Sequence, residues 1–211
     1  MTKAPIELPM FEAPPRDRER ADARRNRERI LSAAAHLISE QGIEAVSMDA
    51  VATAACVGKG TVYRRFGDCS ALLRALVEEP EREFQESVIR GKPPLGPGAP
   101  SIERLHAFGA GLITLLEQTA HFISAKSESN DRYSHPAYLF HQTHVSLLLR
   151  EILGEGTRTD YLVDVLLAPL WADAFLHQRE GRGMSVQEMT ESWCALATAI
   201  VSSADVKAGR G

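Results

Sequence analysis

Residues 47–73 read SMDAVATAACVGKGTVYRRFGDCSALL, and the organisation of the rest of the chain follows from this stretch. Ser47 is a good N-cap for a helix in which small and apolar residues recur at helical spacing up to Ala55. The pattern then breaks over residues 56–58, where Gly58 is free to take a conformation that a residue with a Cβ would resist. A second helix over about residues 59–66 is too short to be stable alone. Two short helices joined by a turn of about three residues predict a helix-turn-helix.

The second of these helices has the composition of a nucleic-acid reader. The side chains that can reach phosphates or base edges are Lys59, Thr61, Tyr63, Arg64 and Arg65. Gly60 lowers helix stability, and close approach of the backbone to a partner would explain its presence. Val62 and Phe66, four residues apart, can hold the helix on its domain. The alternative is a solvated basic face on an ordinary core helix.

The order and spacing of these residues resemble the DNA-binding domain of TetR-family transcriptional repressors. The resemblance covers roughly residues 24–77 and rests on residues 42–47, 51–52, Ala55, Val57, 60–63, Phe66 and 71–73. Two residues depart from the family pattern. Cys56 stands where the family usually has the turn glycine, which bears on the shape of the turn. Cys69 stands where the family often has a lysine that contacts phosphate, which predicts one phosphate contact fewer.

The resemblance implies a homodimeric one-component repressor that binds a palindromic operator in double-stranded DNA and is released by a small-molecule effector. The implied DNA-binding residues are Ser47, Lys59, Gly60, Thr61, Tyr63, Arg64 and Arg65. Lys59 and Thr61 would face base edges, whereas Tyr63, Arg65 and the cap region at Ser47 would hold phosphates. Because one helix-turn-helix makes few contacts, two heads about one helical turn apart are expected on the palindrome. The alternative is a small all-α enzyme or ligand-binding protein whose helix-turn-helix is incidental.

Charge is distributed unevenly along the chain, whose net charge is −4. Residues 16–65 contain ten Lys or Arg against seven Asp or Glu, and residues 66–211 carry a balance of −6. A basic head on an acidic body places phosphate contacts at one end of the molecule. The Arg-rich run of residues 16–27 has two interpretations: it follows a DNA groove or backbone, or it begins a helix whose side chains form salt bridges with one another.

The composition, 44% hydrophobic and 25% charged, is typical of a globular protein, and 18 apolar residues never run together. We expect a disordered tail over residues 1–20, a helix-turn-helix DNA-binding domain over 21–67, a ligand-binding and dimerisation domain over 68–204, and a second disordered tail over 205–211. The Pro-rich start has no apolar run after a basic segment, so it predicts neither a signal peptide nor an anchor. A cytoplasmic location is therefore expected.

Helical periodicity runs through the chain, and neither an alternating strand pattern nor a hairpin signal is found, so the fold class is predicted to be all-α. The first helix is expected over about residues 24–41 and ends at Gly42 as a C′ glycine. Asp68 is expected to cap a fourth helix that kinks at Pro80 and links head and body.

Beyond the fourth helix, residues 91–100 contain four prolines and three glycines, which predicts a linker or exposed loop. A helix from Asp160 to about Arg179 is expected to kink at Pro169. The last helix is expected to open with a capping box formed by Ser185 and Glu188.

The last two predicted helices carry more apolar surface than they can hide in a small body. The residues concerned are Tyr161, Leu162, Val165, Leu166, Trp193, Leu196, Ala197 and Ile200. We expect them to form the isologous four-helix interface of a homodimer. The alternative is that they are buried within one subunit.

The middle helices mix large apolar side chains with groups that form hydrogen bonds. The candidate ligand-binding residues are Phe108, Leu112, His121, Phe122, Tyr138, His141, His144, Val145, Trp171 and Phe175. A purely structural core favours Leu and Ile, which have no polar atoms to satisfy. This mixture predicts a cavity for an apolar or aromatic ligand with one or two polar handles. The alternative places the histidines at the surface and the aromatic rings in an ordinary core.

Signatures of catalysis and of cofactor binding are not found in the sequence. His141 and His144 lie three residues apart, but no carboxylate or cysteine stands near them at a recognised metal-ligand spacing. Neither a phosphate-binding glycine loop after a strand nor a Gly-x-Ser-x-Gly elbow occurs. Cys56, Cys69 and Cys194 are scattered and odd in number, which favours reduced thiols over a disulfide framework. We therefore expect no catalytic residues, no metal ligands and no cofactor.

Overall fold

The computed structural model of the chain describes residues 16–126, 132–154 and 158–208. Every regular element in these ranges is a helix, which confirms the predicted all-α class. The chain divides into two compact units, residues 1–73 and residues 74–211, called here the head unit and the body unit. This division falls inside the fourth helix, whereas the sequence placed the boundary at its start.

The head unit contains three helices and the beginning of a fourth. They are α1 (Arg16–Gln41), α2 (Met48–Ala54), α3 (Lys59–Phe66) and the first residues of α4 (Cys69–Arg90). α2 packs against both α1 and α3. The buried side chains that form the core of the unit include Ile30, Ala34, Met48, Val51, Ala52, Ala55, Val62, Phe66 and Leu72. The two short helices are therefore stable because they bury their apolar sides against α1 and each other.

The start of α1 corrects the predicted disordered tail of residues 1–20. α1 begins at Arg16, so that prediction is wrong over residues 16–20, while residues 1–15 lie outside the described ranges. In the first described turns, Arg25 pairs with Asp22, and Arg24 Nε lies 2.9 Å from Glu28 Oε1. Ion pairs of the kind expected for a helical start are therefore present over residues 22–28, because charges three and four residues apart meet on a helix surface.

Hydrogen-bonding side chains cap several helices at the expected positions. Ser47 Oγ accepts a hydrogen bond from the backbone N–H of Ala50 at 3.1 Å, which caps α2. Asp68 Oδ1 accepts one from the N–H of Ala71 at 2.8 Å at the start of α4. The predicted capping box is confirmed, since the Glu188 N–H donates to Ser185 Oγ at 3.1 Å and the Ser185 N–H donates to Glu188 Oε2 at 2.8 Å.

The body unit is built around α5. Its helices are the rest of α4, α5 (Ser101–Lys126), α6 (Pro136–Leu153), α7 (Asp160–Leu167), α8 (Ala172–Leu176) and α9 (Val186–Ala208). α5 packs against α6, α8 and α9. The largest core side chains include Phe84, Leu105, Phe108, Leu112, Leu148, Leu166, Phe175 and Trp193. Residues 91–100 are irregular, as predicted, and α4 continues through Pro80.

Two elements of the body unit differ from expectation. The predicted kinked helix from Asp160 to Arg179 is broken into α7, a 3-10 turn at Ala168–Leu170 and α8. The break occurs because Pro169 has no N–H to donate and its ring crowds the preceding turn, and Trp171 is extended, with φ −75° and ψ 146°. α9 reaches Ala208, so the predicted disordered tail of residues 205–211 is wrong over 205–208; residues 209–211 lie outside the described ranges. None of the described helices combines the length and apolarity needed to cross a membrane.

Candidate functional site

The turn between α2 and α3 is closed by a Schellman motif. The N–H of Val57 donates to the Ala52 carbonyl at 3.0 Å, and the N–H of Cys56 donates to the Thr53 carbonyl at 3.1 Å. Cys56 occupies the C′ position with φ +52°, in the left-handed region that favours glycine. The turn therefore keeps the tight form with cysteine in place of glycine, at a cost in backbone strain.

The outer face of α3 carries the exposed side chains of Lys59, Tyr63 and Arg64, and Arg65, which is also exposed, lies on the side toward α1. Lys59 and Arg64 are exposed, and Tyr63 is 50% exposed although it is a large aromatic residue. Lys59 Nζ lies 2.5 Å from Asp49 Oδ2 of α2, in an ion pair whose two side chains are more than half exposed. A Cβ on Gly60 would have no heavy atom within 4 Å. Packing inside the subunit therefore does not account for glycine at this position.

A second group of predicted DNA-binding residues faces a small cleft between α1 and α3. The cleft has a volume of about 150 Å³ and is lined by Ala23, Asn26, Arg27, Ile30, Thr61, Arg64 and Arg65. Arg65 Nη2 donates to the Ala23 carbonyl at 2.9 Å, and the guanidinium of Arg27 lies 4.8 Å from the centre of the Phe66 ring. These contacts fix α3 against α1. Sequence reasoning missed Asn26, although it recognised the Arg-rich run that surrounds it.

Ser47, the remaining predicted DNA contact, lies at the start of α2, and Cys69, where one phosphate contact fewer is predicted, lies at the start of α4. Ser47 uses its Oγ as the cap of α2, and a hydroxyl that accepts one hydrogen bond keeps its own O–H as a donor. Cys69 is partly buried, and its Sγ donates to the Val46 carbonyl at 3.5 Å. Its thiol is therefore engaged within the head unit.

The predicted dimer residues divide into buried and exposed groups. Leu166, Trp193 and Ala197 are buried in the core of the body unit, so their assignment to an interface with another subunit needs correction. They are buried because α9 packs on α5 and α7. The predicted residues that leave surface for a partner are Tyr161, Leu162, Val165, Leu196 and Ile200. Tyr161 is 77% exposed and Leu196 is 38% exposed.

Small residues extend this exposed surface along α9. Ser192, Ala195 and Ala199 are all exposed and lie beside Leu196 at helical spacing. The interface predicted from the sequence does not contain them, although it contains Ala197 on the same helix. Small side chains let two helices approach closely, which makes the strip suitable for helix packing.

The predicted ligand-binding residues do not line one cavity. His121 is corrected to a surface residue, because its side chain is 65% exposed and its Nε2 lies 2.9 Å from Glu180 Oε1. Tyr138 and Trp171 stack with ring centres 5.0 Å apart, and Tyr138 Oη donates to Asp164 Oδ1 at 2.8 Å. The other members, Phe108, Leu112, Phe122, Val145 and Phe175, are buried in the core.

His141 and His144 lie together in an aromatic cluster with Phe84, Phe108 and Phe140. His141 Nε2 lies 2.9 Å from Glu81 Oε1, and both side chains are mostly buried. Burial, the largest single effect, would raise the pKa of Glu81, but the hydrogen bond with His141, the charge of that ring and the hydrogen bond from Gln85 together hold the pKa below its usual value. Sequence reasoning missed Glu81, because the two partners lie far apart along the chain.

A cleft of about 230 Å³ opens on the body unit beside this cluster. It is lined by Val88, Ile89, Pro97, Arg104, Phe140, Thr143, His144 and Leu147. His144 is the residue that this cleft shares with the predicted ligand-binding set. Burial lowers the pKa of His144 to about 4, and the positive charge of Arg104 acts in the same direction, so the ring is neutral near pH 7.

Comparison with known proteins relates the head unit to one family. Residues 30–76 match the family model described as bacterial regulatory proteins, tetR family. An HTH-type transcriptional regulator of Staphylococcus aureus (strain USA300) is 41% identical over 59 residues, which are 28% of this chain and 32% of that protein. The chain thus spans about a third of the length of the curated relatives that it matches.

Solved structures share the fold over most of the chain. A TetR-like transcriptional regulator from Rhodococcus sp. RHA1 aligns with a TM-score of 0.54 and 21% identity, covering 84% of this chain and 96% of that one. The fatty acid degradation regulator FadR from Bacillus halodurans aligns with a TM-score of 0.54 and 15% identity, covering 83% and 94%. A gamma-butyrolactone receptor described as ArpA-like aligns with a TM-score of 0.52 and 19% identity, covering 86% and 99%.

Proposed function

We propose that this chain, whose residues 30–76 match the tetR family model and whose fold is shared by solved TetR-like regulators, is a one-component transcriptional repressor that binds a palindromic operator as a homodimer. The family consists of regulators and not of enzymes, which removes an enzyme from consideration. The observation that carries the proposal is the outer face of α3, where Lys59, Tyr63 and Arg64 are exposed beside a glycine that internal packing does not require. A protein of this kind works in the cytoplasm, where the DNA lies.

In the proposed complex α3 lies in the major groove. Lys59 and Thr61 face base edges, Gly60 allows the backbone to approach the DNA, and Tyr63 and Arg64 reach the flanking phosphates. Ser47 and Arg65 hold phosphates with donors that are not used inside the head unit. Ser47 Oγ accepts its internal hydrogen bond and keeps its O–H, and Arg65 uses only part of the five N–H groups of its guanidinium.

A gel-shift titration tests this proposal directly. The full-length protein is titrated at physiological salt into a DNA fragment from upstream of its own gene, with a fragment of equal length and base composition as the control. A complex that survives excess control DNA supports operator binding, because non-specific binding is electrostatic and is competed away. If both fragments are bound equally, a ligand-binding protein with an incidental helix-turn-helix becomes the better description.

The proposed homodimer uses a strip on α7 and α9 in which Tyr161 and Leu196 are exposed and the other large side chains are half-buried. Tyr161, Leu162, Val165, Leu196 and Ile200 supply the large side chains, and Ala195 and Ala199 allow the helices of two subunits to approach. An isologous interface of four helices would cover the same strip on both subunits. The resulting two-fold symmetry matches a palindromic operator, whose half-sites lie about one helical turn apart.

Release from DNA is proposed to follow binding of a small effector to the body unit. Two proteins with this fold are described as a fatty acid degradation regulator and a gamma-butyrolactone receptor, and a small amphipathic effector agrees with both. Binding would shift the dimer between two states, only one of which matches the operator spacing. His141 and Trp171 are proposed to support the effector site through their aromatic contacts.

The effector can be sought in the purified protein itself. Native mass spectrometry would detect a small molecule that co-purifies with the dimer, and the same molecule, added to the operator complex, should release the DNA. Replacing His141 by Gln and Trp171 by Phe separately should weaken both effector binding and release. If both variants bind the effector and leave DNA like the wild type, these residues do not support the site.

A further inference from the structure

The cleft of the body unit contains two buried polar atoms that have no partner among the described residues. Arg104 Nε and His144 Nε2 are both shielded from solvent and form no hydrogen bond within this part of the chain. A buried donor left without a partner costs roughly 1–3 kcal/mol, so an arrangement of this kind usually serves a ligand or a water. Both residues line the same cleft, Arg104 from α5 and His144 from α6.

The charge in the cleft is positive and is not balanced by an ion pair. Among the described residues, Arg104 takes part in no salt bridge. The negative charge of Glu151 acts on His144 and tends to raise its pKa. Glu151 Oε2 accepts a hydrogen bond from Ser101 Oγ at 2.5 Å. An anion entering the cleft would therefore meet a guanidinium that forms no ion pair with the described carboxylates, while Glu151 is already hydrogen-bonded to Ser101.

The other walls of the cleft are apolar. Val88 and Ile89 of α4, Pro97, and Phe140 and Leu147 of α6 face it, and Ile89 and Leu147 remain more than half exposed at its mouth. Thr143 adds one hydroxyl on the α6 side, although it already donates to the Leu139 carbonyl at 2.7 Å. An apolar wall with a few convergent polar groups is the arrangement that small-molecule sites share.

From these contacts we propose that the cleft binds a small carboxylate with an apolar tail, whose carboxylate is held by Arg104 and the imidazole of His144 and whose tail lies against Val88, Ile89 and Leu147. The volume of about 230 Å³ suits a single short acyl or aryl chain. This inference rests on the proposed function in one respect, since such a molecule would be the effector. The cleft shares His144 with the ligand-binding residues predicted from the sequence, and His144 lies in the same aromatic cluster as His141.

The probe for the test is octanoate, compared with octanamide, which has the same chain without the charge, and with acetate, which has the charge without the chain. Binding to the full-length dimer is measured by titration calorimetry in the absence of DNA. Octanoate should bind at least about tenfold more tightly than either control, because a charged hydrogen bond contributes that much or more. Equal binding of octanoate and octanamide, or no octanoate binding at millimolar concentration, would overturn the proposal.

Two pairs of variants locate the binding. Arg104→Gln should weaken octanoate binding by about tenfold or more, whereas Arg182→Gln, which removes an exposed arginine away from the cleft, should not. Leu147→Glu places a repelling carboxylate at the mouth and should also weaken binding. Its matched control is Leu139→Glu on the same helix, since Leu139 is 45% exposed and does not line the cleft. Because Leu147 is exposed, its variant remains informative even where Arg104→Gln unfolds the protein.

The outcomes separate this inference from the proposed function. Octanoate binding that depends on Arg104 and Leu147 supports the site whether or not the protein shifts operator DNA. Wild-type octanoate binding in both Arg104→Gln and Leu147→Glu overturns the site while operator binding still stands on its own gel-shift result.

Discussion

The indole ring of Trp193 occupies the space in which any side chain on Gly109 would have to lie. A Cβ built on Gly109 of α5 falls well inside contact distance of three atoms of that ring. Trp193 is 4% exposed, and its Nε1 donates to the Leu166 carbonyl at 2.8 Å. The indole is therefore held between α5, α7 and α9 and cannot give way without breaking its hydrogen bond.

Gly109→Ala is therefore expected to destabilise the protein despite the better helix propensity of alanine. The better helix propensity would stabilise the protein by about 1 kcal/mol. Overpacking a core typically destabilises by about 1–3 kcal/mol, and here it would also displace the indole from its hydrogen bond. Urea unfolding measures the free energy difference. Gly60→Ala is the control, since a Cβ there meets nothing and should stabilise α3 by up to about 1 kcal/mol. Wild-type stability in Gly109→Ala would contradict the packing described here.

Lys59→Ala is expected to weaken operator binding and to relax sequence preference, by about 1–3 kcal/mol for each base edge that the lysine no longer reaches. Stability should change little, because the Lys59–Asp49 ion pair is exposed and such pairs contribute about 0–1 kcal/mol. Asp49→Ala breaks the same ion pair but keeps the lysine, so it should bind the operator at least as well as the wild type. Tyr63→Ala should weaken binding without a change in preference. Wild-type affinity in both Lys59→Ala and Tyr63→Ala would exclude α3 from the groove.

Cys56→Gly is expected to stabilise the head unit. A residue with a Cβ pays about 1–2 kcal/mol in the left-handed region, while the extra freedom of glycine in the unfolded chain removes roughly 0.5–1 kcal/mol of the gain. The net effect should be a rise of about 0.5–1 kcal/mol in the free energy of unfolding. Cys56→Ala removes the thiol and keeps the Cβ, so it should show no such gain. Equal stability of the two variants would mean that the turn is not strained at this residue.

The dimer is tested by sedimentation velocity at micromolar concentration. The wild type should sediment with a mass near twice 23.1 kDa. Leu196→Glu places a charge on the exposed strip of α9 and should shift the mass toward that of one subunit, because a buried unpaired charge is costly. Leu139→Glu, which changes an exposed leucine of α6 in the same way, should leave the dimer intact. A wild-type protein that sediments as a monomer would remove both the interface and the argument for a palindrome.

Acid should destabilise the protein partly through His144. Its folded pKa of about 4 lies below the ordinary value of about 6.5, so the unfolded chain binds the proton more readily. The free energy of unfolding therefore has its full value above about pH 6.5, where the ring is neutral in both states, and it decreases as the pH falls toward 4. Since the ring is partly exposed, we expect a decrease of roughly 1–2 kcal/mol over this window.

The pH test compares urea unfolding of the wild type and His144→Leu from about pH 7.5 to about pH 4, the window that the His144 pKa defines. The free energy of unfolding of the wild type should fall relative to that of the variant as the pH decreases, since Arg104, His141 and Glu151 surround the site in both proteins. Parallel curves would show that His144 does not titrate in this range.

The head could be predicted from the sequence because its signals are local. The cap at Ser47, the break before Gly58 and the apolar pair of Val62 and Phe66 all lie within one short stretch, and each acts on its near neighbours. The start of α1 is harder to predict, because an alternation of arginine and acidic residues is typical both of a disordered polar tail and of a helix with surface ion pairs. Only the structure distinguishes the two.

The body resisted prediction because its contacts join distant parts of the chain. Apolar periodicity identified Trp193 and Leu196 as members of an apolar helix, but it cannot tell which face meets the subunit's own core. Arg104 gave no signal at all, since a single arginine on a helix is usually solvated. Its place in the cleft depends on α4 and α6, which lie on either side of it only in the folded chain.

The Lys59–Asp49 ion pair also bears on how the protein would find its operator. A lysine already neutralised by its own subunit holds random DNA less firmly, because non-specific binding depends on free positive charge. At the operator a guanine edge can replace Asp49 as the partner of Lys59, so the full attraction is realised only there. We therefore expect the head unit to dissociate faster from non-operator DNA. Asp49 would then affect the speed of the search for the operator as well as the strength of the final complex.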